Sequence, residues 1–491
     1  MAKSNSNEDK GKGITVKKSE DFSEWYSQLV QKAELADLRY NVKGFVVYMP
    51  SATITIRKMF NILENVLERK GHLPLTMPSV IPKSNFDIEA SHVDGFSPEV
   101  FWVTHAGNKK LEEKLALRPT SETALYQMYS YWIRSYKDLP FKRYQNCQVW
   151  RAEGKATRPF FRAREFHWIE AHNVFRTMKE AEAQTIEDME TTYEVLGDNF
   201  AIPTIFFERP QWDKFPGAIK TFAADALMES GKVLQLPSTH LLGTNFSEGF
   251  NVKFTDEDGE EKLGYITCYG PAISRIYGAM IALHGDDKGL VLPFELAPLQ
   301  IIITPIIFKN KEKEVLEKAK EIKKLLKDYS VKIDDRNDVR NGEKYAEWEL
   351  KGVPLRIEIG PKDIEKDQVV IVERIKGQKF FVPFKDLKNK VKELADNFTN
   401  TLKKLHHVKF EDNIEDATTI KEAKKIIKSG KIVRCGFCSI DKDAEKCAGT
   451  IEKEVEAFVR GSKVDKETKK FDKCIVCGKP ATRTVYIAKS Y

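Results

Sequence analysis

The chain has 491 residues, 41% of them hydrophobic and 31% charged, with 80 Lys and Arg against 73 Asp and Glu for a formal charge of +7. That length exceeds one ordinary hydrophobic core, so two to four domains are expected. No apolar run is long enough to span a bilayer, the start MAKSNSNEDKGKG lacks the apolar segment of a secretory signal, and so small a net charge permits a nucleic-acid partner without requiring one.

Residues 1–18 read as a flexible tail. From Ser19 to Leu38 the spacing is helical, with an Asp/Ser start, and a strand is expected over Lys43 to Met49. A long helix follows through ATITIRKMFNILENVLERKGH. Its apolar positions are Ile54, Met59, Ile62, Leu63 and Val66, and Gly71 is its C-terminal cap. The proline-rich LPLTMPSVIP is extended. After a strand at Val100 to Thr104, LALR reads as a strand before a capped helix, with Pro119, Thr120 and Ser121 at its start and Glu122 in its first turn. TMKEAEAQTIEDMETTYEVLGDNF reads as a charged surface helix. The EDG turn after NVKFT marks a hairpin, and ISRIYGAMIALHG a buried helix. From Pro298, strands alternate with helices as in an α/β domain with a largely parallel or mixed sheet. A Lys-rich helical link, Lys385 to Lys404, leads to a tail holding five of the seven cysteines. An odd cysteine count with no secretory signal favours a metal site in a reducing, cytoplasmic setting over a disulfide framework. Cys147 and Cys268 stand alone and read as small buried hydrophobes.

The most informative stretch is RYQNCQVWRAEGKATRPFFRAREFHWIEAH, Arg143 to His172. Two strand-like halves flank a basic loop, Gly154 to Arg162. Phe166, Trp168, Glu170 and His172 are spaced by two and so share one strand face, and Arg151 and Glu153 alternate the same way on the other half. Unpaired charge among apolar neighbours is costly in a core. As a site the set has a use, with guanidinium for phosphate, flat rings for a base and carboxylate for an ammonium.

With these residues in view, the chain resembles the prolyl-tRNA synthetases of the archaeal/eukaryotic-like type, a class II aminoacyl-tRNA synthetase family, from about Phe22 to Tyr491. LALRPTSET is similar to the family's amino-acid-binding segment, WRAE with TRPFFRAREFHWIEAH to motif 2, and RIYGAMIALHGDDKGLVLP to motif 3. Pro78 is similar to the motif 1 proline of the dimer interface. The resemblance implies an α+β catalytic domain with an antiparallel sheet over residues 19–297. An α/β anticodon-binding domain over 298–405 and a small zinc-binding α+β domain over 406–491 would follow. It implies a homodimeric proline–tRNA ligase using ATP and Mg²⁺, acting on proline and its tRNA, with no membrane. The alternatives are a sister synthetase for another amino acid, or a catalytically inactive relative that only binds RNA.

Carried over by position, Arg151 would hold the ATP α-phosphate and the substrate carboxylate, and Glu153 would receive the adenine amino group. Phe166 would stack on adenine, with Arg275 over its other face and reaching the γ-phosphate. Arg162 would be a second phosphate ligand, and Gln235 and Ser238 would lie near the ribose. Thr120 and Glu122 would bind the imino group of proline in a pocket shaped by Trp168, Glu170, His172 and His240. The segment from Gly270 to Arg275 is one residue longer than the family pattern. Glu349, Arg356, Lys362 and Asp363 would contact the two guanines of a proline anticodon, a pairing suited to guanine edges. The zinc ligands implied are Cys438, Cys447, Cys474 and Cys477, with Cys435 in reserve because Cys435 and Cys438 also have ligand spacing. The terminal carboxylate of Tyr491 would turn back toward the active site.

Overall fold

The computed structural model describes residues 13–92, 99–154, 156–308, 310–465 and 467–491. The first twelve residues of the expected tail lie outside these. Residues 13–18 do not behave as a tail: Ile14 and Val16 pack on the main core, and the buried Lys18 ammonium donates to the carbonyls of Leu283 and Gly285.

Helix α1 (Phe22–Lys32) begins where the Asp21 carboxylate accepts the Glu24 N–H, and it buries Trp25, Tyr26, Leu29 and Val30. It stops before Leu38, because Ala36–Asp37 pairs with Val47–Tyr48 as a short ribbon, all that forms of the strand expected over Lys43 to Met49. Helix α2 (Pro50–Arg69) has Pro50 in its first turn and Gly71 in the left-handed region just past its end, the arrangement expected of a helix stop. Its core face is Ala52, Ile56, Met59, Phe60, Leu63 and Leu67. Ile54, expected on that face, is exposed. Helix α3 (Lys83–His92) packs on a three-stranded side sheet formed by Val80–Pro82, Trp102–Ala106 and Lys109–Leu117, and α4 (Glu122–Trp132) packs on α3.

The N-terminal unit is organised on one twisted sheet. Strands β1 (Leu73–Pro74), β2 (Phe141–Trp150), β3 (Glu165–Phe175), β4 (Ile205–Glu208), β5 (Lys220–Leu227), β6 (Lys232–Gly243) and β7 (Tyr265–Gly270) run in the order β1-β2-β3-β7-β6-β5-β4, antiparallel except for β1 with β2. On one face lies α5 (Met178–Thr192). Its charges suggested an exposed helix, but it buries Ala181, Gln184, Asp188, Met189 and Thr192. Asp188 accepts from Thr239 Oγ1 at 2.7 Å and Gln184 Nε2 at 2.8 Å, and burial pushes its carboxyl up to about 7. The short α6 (Asn245–Phe250) precedes the hairpin whose turn ends at Gly259. Helix α7 (Ile273–His284) is buried along nearly its whole length and shares the main core with α2.

The α/β unit has strands β8 (Ile301–Pro305), β9 (Val331–Ile333), β10 (Leu355–Ile359), β11 (Gln368–Glu373) and β12 (Lys379–Pro383). Their order is β9-β8-β10-β11-β12, the first three parallel and the rest antiparallel. Helices α8 (Glu312–Leu325), α9 (Asn341–Leu350), α10 (Pro361–Glu365) and α11 (Leu387–Glu411) accompany it. The Lys-rich segment expected as a link is the first part of α11, which packs Leu387, Val391, Phe398 and Leu402 into this unit's core.

The C-terminal unit comprises β13 (Ile414–Asp416), α12 (Ile420–Lys428), β14 (Ile432–Phe437), α13 (Glu445–Val455), β15 (Phe458–Lys463) and β16 (Arg483–Ser490). It does not stand apart. Strand β15 pairs with β4, and the end of β16 pairs with β6, so one 11-stranded sheet runs through both units. Among the described residues no helix is long and apolar enough to cross a membrane.

Candidate active site

A cavity of about 520 Å³ opens on the sheet face opposite α5, over β3, β5, β6 and β7. Thr120, Glu122, Arg151, Glu153, Trp168, Glu170, Gln235, Ser238, His240 and Arg275 all line it. Regular pleating places Trp168 and Glu170 on this face of β3. The expectation that Arg151 and Glu153 alternate along a strand is not met. Strand β2 ends at Trp150, and both residues lie in the connection to β3, where they are fixed by hydrogen bonds instead. Arg151 N–H donates to Arg164 O at 2.9 Å and its Nε to Pro119 O at 3.1 Å.

The same connection is pinned rather than freely solvated. Phe160 and Phe161 are buried against Tyr48, Tyr277 and Tyr26, and a side chain at Gly278 would meet Phe160 Cβ at 3.0 Å. Basic residues are therefore carried on an apolar anchor. Arg275 Nε donates to Phe161 O at 3.1 Å, tying the helix-borne arginine to that anchor. In the segment before Arg275, the Pro271 carbonyl accepts the Ile169 N–H at 3.1 Å, and Ser274 Oγ accepts the His167 N–H at 2.8 Å. Burial, with Arg151 and Arg162 close by, pushes the Arg275 guanidinium down to about 10. Burial likewise lowers Arg151, against the pull of Glu122, Glu170 and Glu153. A site that crowds guanidiniums in this way is built to receive an anion.

The carboxylate end has the opposite character. Glu170 is 1% exposed and accepts from Thr120 Oγ1 at 2.8 Å, Ser121 N at 3.1 Å, Ser121 Oγ at 2.5 Å and Gln145 Nε2 at 3.3 Å. Burial alone would raise it. The electrostatic pull of His172, 3.9 Å away, with hydrogen bonds from Ser121 and Thr120, wins and holds it at about 2. The single Thr120 hydroxyl proton is shared between Glu170 and Glu122, whose other oxygen accepts from Cys268 Sγ at 3.5 Å. Thr120 and Ser121 look in the sequence like helix caps, yet Ser121 makes no side-chain cap and both hydroxyls are spent on this cluster.

His240 forms part of the third wall. Its Nδ1 lies 3.0 Å from Thr221 Oγ1, its Nε2 lies 3.1 Å from Ser238 Oγ, and its ring stacks on Phe215 at 4.7 Å. Burial, with help from His172, pushes it down to about 3, so it is a neutral ring at working pH. Gln235 Oε1 accepts from Arg209 Nη2 at 3.2 Å.

Three expected site residues do not line the cavity. His172 is fully buried behind Glu170, with Nε2 3.9 Å from its carboxylate and Nδ1 2.9 Å from Tyr126 OH, so it supports the wall. Arg162 lies 3.8 Å from Glu153, and the Phe166 ring lies 5.4 Å from the Arg151 guanidinium. Conversely, Glu99, Arg209, Phe215 and Cys268 line the cavity and sequence reasoning missed them in this role. Cys268 is indeed buried, as expected, but at the pocket. The available signal for Arg209 was a cation closing the apolar strand IFFE, with Asp225 inside AADAL.

In the α/β unit, Arg356 is nearly buried, donates to Glu349 at 3.2 Å and Glu358 at 3.0 Å, and lies 4.0 Å over the Tyr345 ring. Asp363 caps α10 through the Gly360 N–H at 3.0 Å, and Lys362 beside it is exposed. Glu349 and Arg356 are thus brought together, with Lys362 and Asp363 on the next element.

The sulfurs of Cys438, Cys447, Cys474 and Cys477 lie within 4.8 Å of one another, with Cys438 and Cys447 at 3.8 Å. Tetrahedral zinc thiolate, with bonds of about 2.3 Å, requires sulfurs roughly 3.8 Å apart, so the four fit a metal ion. Cys435 is excluded. It sits on β14 opposite Val485, fully buried in the unit's apolar core.

The chain matches a family model for the tRNA synthetase class II core domain (G, H, P, S and T) over residues 101–284. It also matches the anticodon binding domain over 300–394 and the prolyl-tRNA synthetase C-terminal domain over 420–491. It is 48% identical over 483 residues to a proline–tRNA ligase of Thermofilum pendens, covering 98% of this chain and 99% of that one. It is 40% identical over 479 residues to one of Pyrococcus horikoshii, covering 96% and 98%. Among solved structures, the Giardia lamblia prolyl-tRNA synthetase in complex with prolyl-adenylate superimposes with a TM-score of 0.94 at 35% identity, over 97% of this chain and all of that one. The Cryptosporidium parvum enzyme complexed with halofuginone and AMPPNP gives 0.93 at 34%, over 98% and all.

Proposed function

The chain belongs to the prolyl-tRNA synthetase family of class II aminoacyl-tRNA synthetases, and from that premise we propose how its pocket carries out proline–tRNA ligation. Arg151 and Arg275 receive the phosphates of ATP, with Arg162 joining them from the connection. Thr120, Glu122 and the Glu170 cluster receive the imino group of proline. The observation that carries this reading is the polarity of one cavity, guanidiniums at one end and hydrogen-bonded carboxylates at the other. It matches a substrate pair that is a polyanion and a zwitterion.

Chemistry then requires little of the protein beyond alignment. The proline carboxylate oxygen attacks the α-phosphorus, a C–O–P bond forms, the bond to the bridging oxygen breaks, and pyrophosphate leaves. The 3′-terminal ribose hydroxyl of the tRNA next attacks the activated carbonyl, its proton passes to the departing phosphate, and AMP leaves. The carboxylate is already the nucleophile, so the first step needs no protein base. Arg151 brings the two anions together and neutralises charge that grows at phosphorus. Mg²⁺ enters with ATP as part of the substrate. Gln235 and Ser238 serve the ribose, Glu153 and Phe166 the base, and Trp168 and His240 wall the proline ring. In the α/β unit, Glu349, Arg356, Lys362 and Asp363 read guanine edges of the anticodon. Exchange of pyrophosphate into ATP, assayed with each amino acid in turn, should be stimulated most by proline. Stimulation by another amino acid and not by proline would overturn the specificity.

The four-cysteine cluster holds a structural zinc, far in role from the chemistry, since four thiolates leave no open position for a substrate. Purified protein should contain about one zinc per chain, and a chelator that removes it should lower the melting temperature. Metal-free protein with unchanged stability would rule the zinc out. We also propose a cytoplasmic homodimer. The edge strand β1 exposes Leu73, and Val80 and Trp102 are exposed on the two strands flanking the centre of the side sheet, apolar surface of the kind a partner covers.

A further inference from the structure

We propose that Arg460, on the C-terminal unit, is a positioning residue for the nucleotide half of the active site, acting through Asp225 and Arg209 on Gln235. Asp225 is 1% exposed, and each of its oxygens accepts from both arginines. Arg209 contributes Nη1 at 3.1 Å and Nη2 at 2.7 Å, and Arg460 contributes Nε at 2.7 Å and Nη2 at 3.1 Å. Arg209 Nη1 also donates to the Arg460 carbonyl at 2.8 Å, and its Nη2 to Gln235 Oε1 at 3.2 Å. Both Arg209 and Gln235 line the cavity. With Oε1 taken, the amide of Gln235 is oriented so that its amino group is the end available to a ligand.

The backbone is shaped for this cluster on both sides. The pairing of β5 with β6 shifts register between Ala223 and Asp225, which sets Asp225 directly across from Gln235. The pairing of β15 with β16 shifts between Val459 and Gly461, leaving Arg460 as the extra residue. Bulges re-aim side chains in this manner. Gly461 has φ +122°, and a Cβ there would lie 2.1 Å from the Glu208 carbonyl oxygen, so only glycine lets β15 approach β4 closely enough to deliver Arg460. A cation from a unit distant in sequence is thereby coupled, through Asp225 and Arg209, to the wall of the catalytic cavity. The C-terminal unit would then contribute to ATP binding as well as to stability.

The proposal rests on the reading that Gln235 touches ATP, and the experiment separates the two. Michaelis constants for ATP and for proline would be measured by pyrophosphate exchange for Gln235→Ala, Arg460→Gln and the double variant. Arg434→Ala serves as a control, because Arg434 pairs with Asp416 inside the C-terminal unit. Gln235→Ala and Arg460→Gln should each raise KM for ATP roughly tenfold with KM for proline little changed, and the double variant should be no worse than Gln235→Ala, as expected for one network. Arg434→Ala should show no such split. If Gln235→Ala leaves KM for ATP unchanged, the ribose reading fails. If it raises KM but Arg460→Gln does not, or if Arg460→Gln moves both constants together, the positioning role is overturned. Should Arg460→Gln not fold, Arg460→Lys keeps the charge but loses the two-pronged geometry and gives the same readout.

Discussion

Arg151→Ala is expected to lose about a thousandfold or more in proline-dependent exchange without losing stability. The activity loss follows from position: the guanidinium stands between the carboxylates that receive the amino acid and the arginines that receive phosphate, so it touches both reactants. Removing one preorganised donor to transition-state charge already costs about 10²- to 10³-fold, and a doubly used cation costs more. The stability expectation follows from electrostatics. Burial depresses Arg151, and Arg151 in turn depresses Arg275. A cation whose desolvation outweighs the pull of Glu122, Glu170 and Glu153, and which Arg275 repels, contributes to catalysis rather than to folding. Thermal unfolding of the variant should therefore occur at or above the temperature of the parent. Exchange within tenfold of the parent would remove the β2–β3 connection from the mechanism, and a clear drop in melting temperature would contradict the electrostatic account.

How much of this was legible from residues alone depended on range. Period-two spacing put Trp168 and Glu170 on one face of β3, and helical spacing with Pro50 and Gly71 bounded α2. These signals are local, and local sterics decide them. Failures occurred where partners distant in the chain decide. Arg151 and Glu153 continue the alternation of β2 on paper, but the chain leaves the sheet at Trp150 because the carbonyls of Arg164 and Pro119 capture Arg151. The charged α5 read as exposed because nothing in its own sequence reveals that Asp188 is met by Thr239 of β6. Cys435 and Cys438 share a ligand spacing, and only the pairing of β14 with β16 shows that Cys435 faces apolar core.

The joining of the C-terminal unit to the catalytic sheet is the extreme case. Lys232 pairs with Lys489 and Val233 with Ser490, a parallel contact that no periodicity encodes. Its trace in sequence is indirect: charges, Asp225 inside the apolar run FAADAL and Arg460 after the apolar pair Phe458 and Val459. Such residues are costly unless paired, so each one predicts a partner without naming it.

Glu170→Gln is expected to lower stability by about 3 kcal/mol at neutral pH and to weaken proline binding. The carboxylate is an acceptor for Thr120, both polar groups of Ser121 and Gln145, and it lies beside His172. An amide at this position turns one acceptor into a donor that faces donors, at a buried position where little relieves the conflict. The pH dependence carries the sign of the effect. The folded-state carboxyl is held at about 2, below its ordinary value of 4.5. The stabilisation is thus complete above about pH 4.5 and is lost as pH falls toward 2, because the unfolded chain takes up the proton first. The parent should lose stability over that window more steeply than Glu170→Gln, so the two curves converge on acidification. Parallel curves would show that the ionised carboxylate is not the source of the stabilisation. A change in stability with KM for proline unaltered would mean that the cluster supports the strand without shaping the pocket. Because Thr120 Oγ1 bridges Glu170 and Glu122, the expectation is that both change together.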